Sequence, residues 1–383
     1  MTTGYGLKEV ELTLAHKLWN TSWFLLFLLG ALAAVGVAML YSAADGSFEP
    51  WAWRHLIRFA IGIALLFLVA LIDIRFWLRS AYLLYAGAFV LLAAVEVMGA
   101  QGMGAQRWVD LGGFRLQPSE LMKIALVVAL ARYFHGLTTD QVRRLPYLLV
   151  PAALVAAPAA LVLRQPDLGT AVMLGLGGGA IFLVAGVRLW VLGLGGGLGV
   201  LSVPVAWQFM HAYQKQRILT FLNPESDPLG AGYHILQSKI ALGSGGLFGK
   251  GFLQGTQSHL NFLPEKQTDF IFTTLSEEFG IVGGLLLLSI YALVLAYAFL
   301  ISVRSHNQFG RLLGMGVSVT FFLYVFINIA MVTGLVPVVG VPLPLVSYGG
   351  SAMVTLLIGF GLVMNVHIHR EIMIPRRPGQ LVV

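Results

Sequence analysis

The 383-residue chain contains no cysteine and little charge, with Asp, Glu, Lys and Arg together making up 11% of it, against about 25% in soluble domains. Without cysteine there is no disulfide framework, no Cys-ligated zinc and no thiol nucleophile, although the redox compartment stays open. The scarcity of charge matters more, because 58% of the residues are hydrophobic. A water-soluble domain of this length cannot bury so much apolar surface, so a soluble enzyme, a nucleic-acid binder and a disordered chain are excluded. The net charge of +7 comes from scattered cations, which suit anionic lipid headgroups and not nucleic acid. The chain reads as an all-α polytopic membrane protein.

A spanning helix needs about 20 apolar residues. Such runs occur at 21–41, 57–72, 79–98, 118–135, 147–163, 168–187, 189–209, 270–300, 312–334 and 345–365, about ten transmembrane helices. The eighth run is longer than one crossing requires, and its first two turns are expected to lie at an interface. The first run follows a polar leader and lacks a cleavage site, so it is expected to be retained. Lys and Arg set the orientation. With the N-terminus inside, Lys8, Lys17, Arg75, Arg79, Arg132, Arg143, Arg144, Arg188, Arg304, Arg311, Arg370, Arg376 and Arg377 are cytoplasmic. They outnumber Arg54, Arg58, Arg107, Arg115, Lys123 and Arg164 outside, which puts both termini in the cytoplasm. The whole chain, 1–383, reads as one membrane domain. It has a cytoplasmic N-terminus at 1–20, a large external loop at 210–268 between helices 7 and 8, and a cytoplasmic tail at 366–383. Apolar residues at helical spacing between Tyr233 and Leu242 are expected to lie along the membrane surface.

In this topology twelve acids lie outside or in the outer turns of helices: Asp45, Glu49, Glu96, Asp110, Glu120, Asp167, Glu225, Asp227, Glu265, Asp269, Glu277 and Glu278. No ionisable residue falls near mid-membrane, where ion-coupled transporters carry one, so chemistry is expected on the outer face. No HExxH-type cluster suggests a protein-ligated zinc. The segment from Ser244 to Gly251 imitates a phosphate loop but lacks its first glycine and final hydroxyl residue. The glycine runs at 175–179 and 193–199 are expected to pack helices closely.

Three outer clusters remain. Gln117-Pro118-Ser119-Glu120-Leu-Met-Lys123 opens the fourth span with Glu120 and Lys123 one turn apart on one face. Helix-end chemistry explains Glu120 but leaves a lysine beside it unexplained. Asp167 opens the sixth span, where it could simply oppose the helix dipole. The stretch from Leu263 to Phe270 ends the long loop, and Thr268 and Asp269 are also good helix-start residues. A helix N-terminus lowers a carboxylate pKa, whereas burial against Phe270 and Phe272 raises it. The balance decides whether Asp269 can act as a base near neutral pH.

These clusters resemble the SEDS family (shape, elongation, division and sporulation) along almost the whole chain. The similarity rests on QPSELMKIA at 117–125, RQPDLGTA at 164–171, RILTFLNPESDPLGAGYHILQSKIALGSGGLFGKG at 217–251, GTQSHLNFLPEKQTDFIF at 255–272 and GLVPVVGVPLPLVSYGGSA at 334–352. The fourth and fifth blocks resemble the elongation branch more than the division branch. Arg58 departs from the family pattern, which is expected to have Gln there. The resemblance implies a peptidoglycan glycosyltransferase that polymerises lipid II at the periplasmic face of the bacterial cytoplasmic (inner) membrane. It also implies a nascent glycan strand as acceptor, a class B penicillin-binding protein as partner and the other proteins of an elongation complex. Asp269 matches the essential acid of the family, Glu120 and Lys123 its cavity-lining ion pair, Asp167 another outer acid, Trp108 an outer tryptophan, and Arg54 an outer arginine.

The chemistry expected from this is a single inverting displacement. An α-linked lipid diphosphate leaves as an acceptor 4-hydroxyl attacks to form a β-1,4 bond, with Asp269 as the base. Positive charge at the diphosphate is expected from Lys123, Arg217, Lys239, a divalent cation (Mg or Mn) or a combination. Two other readings compete, a lipid II flippase and a non-catalytic scaffold for the penicillin-binding protein.

Overall fold

The computed structural model describes residues 13–376 apart from 99, 103–104, 111–114, 211, 224–230 and 260–264. The helices are α1 Leu14–Trp19, α2 Trp23–Ala43, α3 Ala52–Leu71, α4 Ile74–Met98, α5 Pro118–His135, α6 Thr139–Val142, α7 Leu149–Arg164, α8 Leu168–Ala185, α9 Leu189–Phe209, α10 Ala212–Leu222, α11 Ala231–Ser244, α12 Thr256–His259, α13 Ile271–Val303, α14 Gln308–Val332 and α15 Gly350–Ile368. Among the described residues, eight are long and apolar enough to cross a membrane. The other two runs expected to span correspond to α5 and α9. α5 carries Glu120, Lys123 and Arg132, which lower its apolarity, and its position is nevertheless central. Nearly all of it is buried, as are α14 and α15, and these three form the middle of the bundle.

The fold is helical except for one feature. Between α4 and α5 lie three short antiparallel strands in the order β1-β2-β3: β1 Ala100–Gly102, β2 Ala105–Asp110 and β3 Arg115–Leu116. Ala100 pairs with Trp108, and Asp110 with Arg115.

The glycine runs behave differently from expectation. Gly178 does pack closely, since a Cβ there would stand 2.6 Å from Val155. Gly175 and Gly179 have open space, as do Gly193, Gly195, Gly196, Gly197 and Gly199. α9 is exposed along residues 193–201, so among the described residues no helix packs closely against these glycines. Small residues permit close approach, but something must approach.

Two irregular segments shape the end of the bundle where α13 begins. The first is a break in α13 at Gly280, where φ is +66° and ψ −163°. This is where the excess length of the eighth run predicts a separate first two turns. The break would strand carbonyls and amides, and residues 246–251 satisfy them. The amides of Lys250 and Gly251 donate to the carbonyls of Glu277 and Glu278, both at 3.0 Å, while Ile281 and Val282 donate to Gly246 and Leu247 at 3.0 and 3.1 Å. The approach is too close for side chains. A Cβ at Gly245 or Gly249 would stand 2.1 Å from a carbonyl oxygen of α13. The segment that imitates a phosphate loop is thus a backbone splice into a broken helix.

The second is the non-helical stretch 335–349, which folds down among the helices. Leu343, Leu345 and Val346 are at most 1% exposed. Buried non-helical backbone needs partners, and the bundle supplies them. Tyr291 donates to the Pro344 carbonyl at 2.6 Å, His55 Nε2 to that of Leu345 at 3.0 Å, and Asn328 Nδ2 to that of Val341 at 2.7 Å. Leu345 takes φ +61° at the foot of the loop, and Gly36 on α2 leaves room for it, since a Cβ there would stand 2.6 Å from the Leu345 oxygen. α15 therefore starts at Gly350 and not at the expected residue 345.

Candidate active site

Asp269 sits in a turn, residues 265–270, immediately before α13. Three hydrogen bonds from two elements hold the backbone of this turn. Asn328, fully buried on α14, donates Nδ2 to the Asp269 carbonyl at 2.9 Å as well as to Val341. Tyr348 N–H donates to the Gln267 carbonyl at 2.8 Å, and Ser347 Oγ donates to that of Thr268. Ser347 is itself fixed, because its hydroxyl accepts from Leu343 N–H at 2.8 Å. The VPLPLVSYGG block thus grips the turn that carries Asp269. Asp269 is partly exposed, and its carboxylate lies beside Gly340, where a Cβ would stand 3.5 Å from Oδ2. Gly340 has φ +73°, a conformation that a side chain there would strain.

Glu120 and Lys123 form an ion pair of 2.8 Å with both side chains at most 5% exposed. Tyr324 on α14 joins them, its hydroxyl donating to Glu120 Oε2 and accepting from Lys123 Nζ. The Lys123 ammonium also lies 4.2 Å from the centre of the Tyr324 ring. Lys123 is therefore neutralised and enclosed between α5 and α14, where a buried ammonium requires such partners. Tyr324 and Asn328 are four residues apart, on one face of α14. One helix face therefore holds both the ion pair and the Asp269 turn.

Asp167 N-caps α8 by accepting from Thr170 N–H at 3.1 Å. It also lies 3.8 Å from Arg107 and accepts from Gln117 Nε2 at 3.4 Å. Arg107, on β2, donates to the Gln165 carbonyl at 3.1 Å and to that of Pro166, so it ties the small sheet to the α7–α8 turn. Gly169 packs against Val339, the neighbour of Gly340, which brings the start of α8 next to the Asp269 region.

The remaining predicted positions are more dispersed. Trp108 is half-buried on β2. Arg54 is exposed in the first turn of α3. Lys239 is exposed on α11 and lies across Gly334, where a Cβ would stand 2.4 Å from its Cε. Arg217 belongs to α10, and its side chain lies outside the described residues. α11 itself is docked by Ser238, which donates to the Val332 carbonyl at 2.8 Å and shares a hydrogen bond of 2.9 Å with Thr273.

Sequence reasoning missed Tyr324, Asn328, Arg107 and Glu277. Polar residues at i and i+4 inside an apolar span were the available signal for the first two. Glu277 is fully buried and receives Lys250 Nζ at 2.6 Å, Thr256 Oγ1 at 3.1 Å and Gln257 N–H at 3.0 Å. Among the described residues no three His, Asp or Glu side chains converge as metal ligands do.

A bundle with a broken helix, an inward-folded connection and a clamped, partly exposed aspartate at one end is an integral membrane protein with its candidate site at that end. The family model FTSW_RODA_SPOVE, described as cell cycle protein, matches residues 16–372, and the chain belongs to this family. It is 45% identical over 354 residues to the peptidoglycan glycosyltransferase MrdB of Escherichia coli (strain K12), covering 91% of this chain and 94% of that protein. It is 38% identical to the stage V sporulation protein E of Bacillus subtilis, covering 88% and 93%. Among solved structures, it is similar to a chain of a peptidoglycan synthase complex studied for the coordination of polymerization and crosslinking. That match has a TM-score of 0.79 and 34% identity, covering 92% of this chain and 98% of that one. The rod shape determining protein RodA of Thermus thermophilus matches at TM-score 0.70 and 29% identity, with the same coverage.

Proposed function

We propose that this protein is a peptidoglycan glycosyltransferase that polymerises lipid II into β-1,4 glycan at the periplasmic face of the cytoplasmic membrane, with Asp269 as the general base. The observation that carries the reading is the way Asp269 is held. Its backbone is fixed from α14 and from the Ser347–Tyr348 segment while the residue stays partly exposed, which is the arrangement a base needs to meet a hydroxyl in a set geometry. The E. coli relative, named a peptidoglycan glycosyltransferase, supports the activity. The synthase-complex relative supports a penicillin-binding protein as partner.

The acceptor 4-hydroxyl gives its proton to Asp269 as its oxygen bonds to the anomeric carbon. The bond from that carbon to the diphosphate oxygen breaks at the same time, inverting the centre and releasing the lipid diphosphate. Lys123 is already neutralised by Glu120, so we assign this pair, with Tyr324, to holding α5 against α14 beside the site. Asp167 has a similar role at the start of α8, and Trp108 belongs to the same outer sheet. The exposed cations Arg54 and Lys239, together with Arg217, are assigned to the diphosphate. Among the described residues no side chains form a built metal site, so a divalent cation would come with the diphosphate as part of the substrate, and no step is assigned to it.

The test is reconstitution of the full chain with its penicillin-binding partner, the transpeptidase site of the partner being blocked, on fluorescent lipid II. Glycan polymer is expected. Transfer of lipid II headgroups across the bilayer without polymer would overturn the reading.

A further inference from the structure

The splice at Gly280 has a second face. Its backbone groups point into α13, while Leu247 and Phe248 project away with 63% and 79% of their surface exposed. Phe252 and Leu253 add further exposed apolar surface. The one charge in the segment, Lys250, is paired with Glu277, so the projecting side is uncharged. Solitary exposed apolar residues need no explanation, but a contiguous group marks a contact surface.

What covers it follows from continuity with the spanning part of α13. The Leu247 carbonyl accepts from Val282, which sets Leu247 level with the first residues below the break. Ile281, Val282, Leu285 and Leu286 are each at least 50% exposed there, as befits a lipid-facing side. From Ile281 to Val303 the helix runs about 34 Å at about 1.5 Å per residue, close to the hydrocarbon thickness of roughly 30 Å. Gly280 therefore marks a hydrocarbon boundary, and the splice lies at that depth. Phe252 is 6.0 Å from Phe279 and 6.4 Å from Tyr41, and Tyr41 is 5.0 Å from Phe48, between ring centres. This aromatic group sits at the ends of two spans, as interfacial belts do.

We propose that residues 246–253 are a membrane anchor that sinks Leu247 and Phe248 into the acyl-chain boundary of the leaflet on the Asp269 side. The anchor fixes the end of the long loop, and with it the first turns of α13, at the depth where a lipid headgroup lies. It stands independently of the role of Asp269.

The absence of cysteine allows a direct test. Phe248→Cys in the full chain, carrying a nitroxide label, is reconstituted in phosphatidylethanolamine–phosphatidylglycerol liposomes, and collisions with oxygen and with a water-soluble nickel chelate are compared by electron paramagnetic resonance. Leu286→Cys serves as the lipid reference and Asp140→Cys, exposed on the short helix α6, as the water reference. The Phe248 label is expected to lie between the two references and nearer to Leu286, with an oxygen-to-nickel ratio severalfold above that of Asp140. A ratio like that of Asp140 would overturn the anchor, and so would protection from both colliders, which would mean protein covers the site. Leu247→Cys gives the same reading if Phe248→Cys fails to fold.

Discussion

The two ends of the helix bundle are built differently. At the Asp269 end α13 breaks, a non-helical loop folds inward, and ion pairs such as Lys123–Glu120 and Lys250–Glu277 lie buried or half-buried. At the opposite end helices run to ordinary terminations, and neutral groups and a half-buried lysine close them. Asn365, fully buried on α15, donates Nδ2 to the carbonyls of Val69, Ala70 and Ile72 at the end of α3. Lys17 reaches the Leu71 carbonyl at 2.7 Å, and Asn307 N-caps α14 at 2.6 Å. Buried charge is costly to desolvate, so its concentration at one end, where backbone regularity is also given up, is what a functional site and not merely a stable bundle calls for, and it is the end to which we assign the site.

The largest effect that sharpens this contrast is expected at the splice. Glu277→Ala leaves Lys250 without its carboxylate and strips Thr256 and the Gln257 amide of their acceptor. A loss of about 2–3 kcal/mol is expected, somewhat below that of a fully enclosed pair because Lys250 is partly exposed. Thermal unfolding in detergent measures it. Polymerising activity per folded molecule should fall as well, because the turn that carries Asp269 leads directly into the first turns of α13.

The matching change at the other end is Asn365→Ala, which orphans the α3 carbonyls. It should cost about 1–3 kcal/mol while activity per folded molecule stays unchanged. An equal fall in specific activity from both variants would break the comparison.

The smallest effect is a pH dependence at the closed end. Burial lowers the pKa of His369 from its ordinary value of 6.5, and the residue is 1% exposed. The unfolded chain therefore binds the proton more readily than the folded one. The His369 contribution is complete above about pH 6.5 and is lost as pH falls below it. His369→Gln should flatten the decline of the melting temperature between pH 7 and 5.

Much of this architecture was legible in the residues, for identifiable reasons. Apolar runs of spanning length announce themselves, and the surplus length of the eighth run indicated separate first turns. The position of the break did not, because Gly280 is one glycine among 45 and its role depends on Gly245 and Gly249 arriving from a distant segment. The motif around residues 334–352 was visible, but its inward fold rests on Tyr291, His55 and Asn328, three residues on three different helices. The acids were visible as helix-start residues, and Asp167 does cap its helix. What could not be read was which acid stands partly exposed and which is enclosed, since that depends on Tyr324 and on the packing of α14. Close packing of the 193–199 glycines failed because small size is a local property and the presence of a neighbour is not.

The central claim is that the clamped carboxylate of Asp269 takes the acceptor proton. The most direct measurement is glycan formation from labelled lipid II by Asp269→Asn, reconstituted with the partner exactly as the unaltered chain. A loss of roughly 10²–10⁴-fold in rate is predicted, with folded yield and lipid II binding preserved. Polymer at a near-unaltered rate would contradict it.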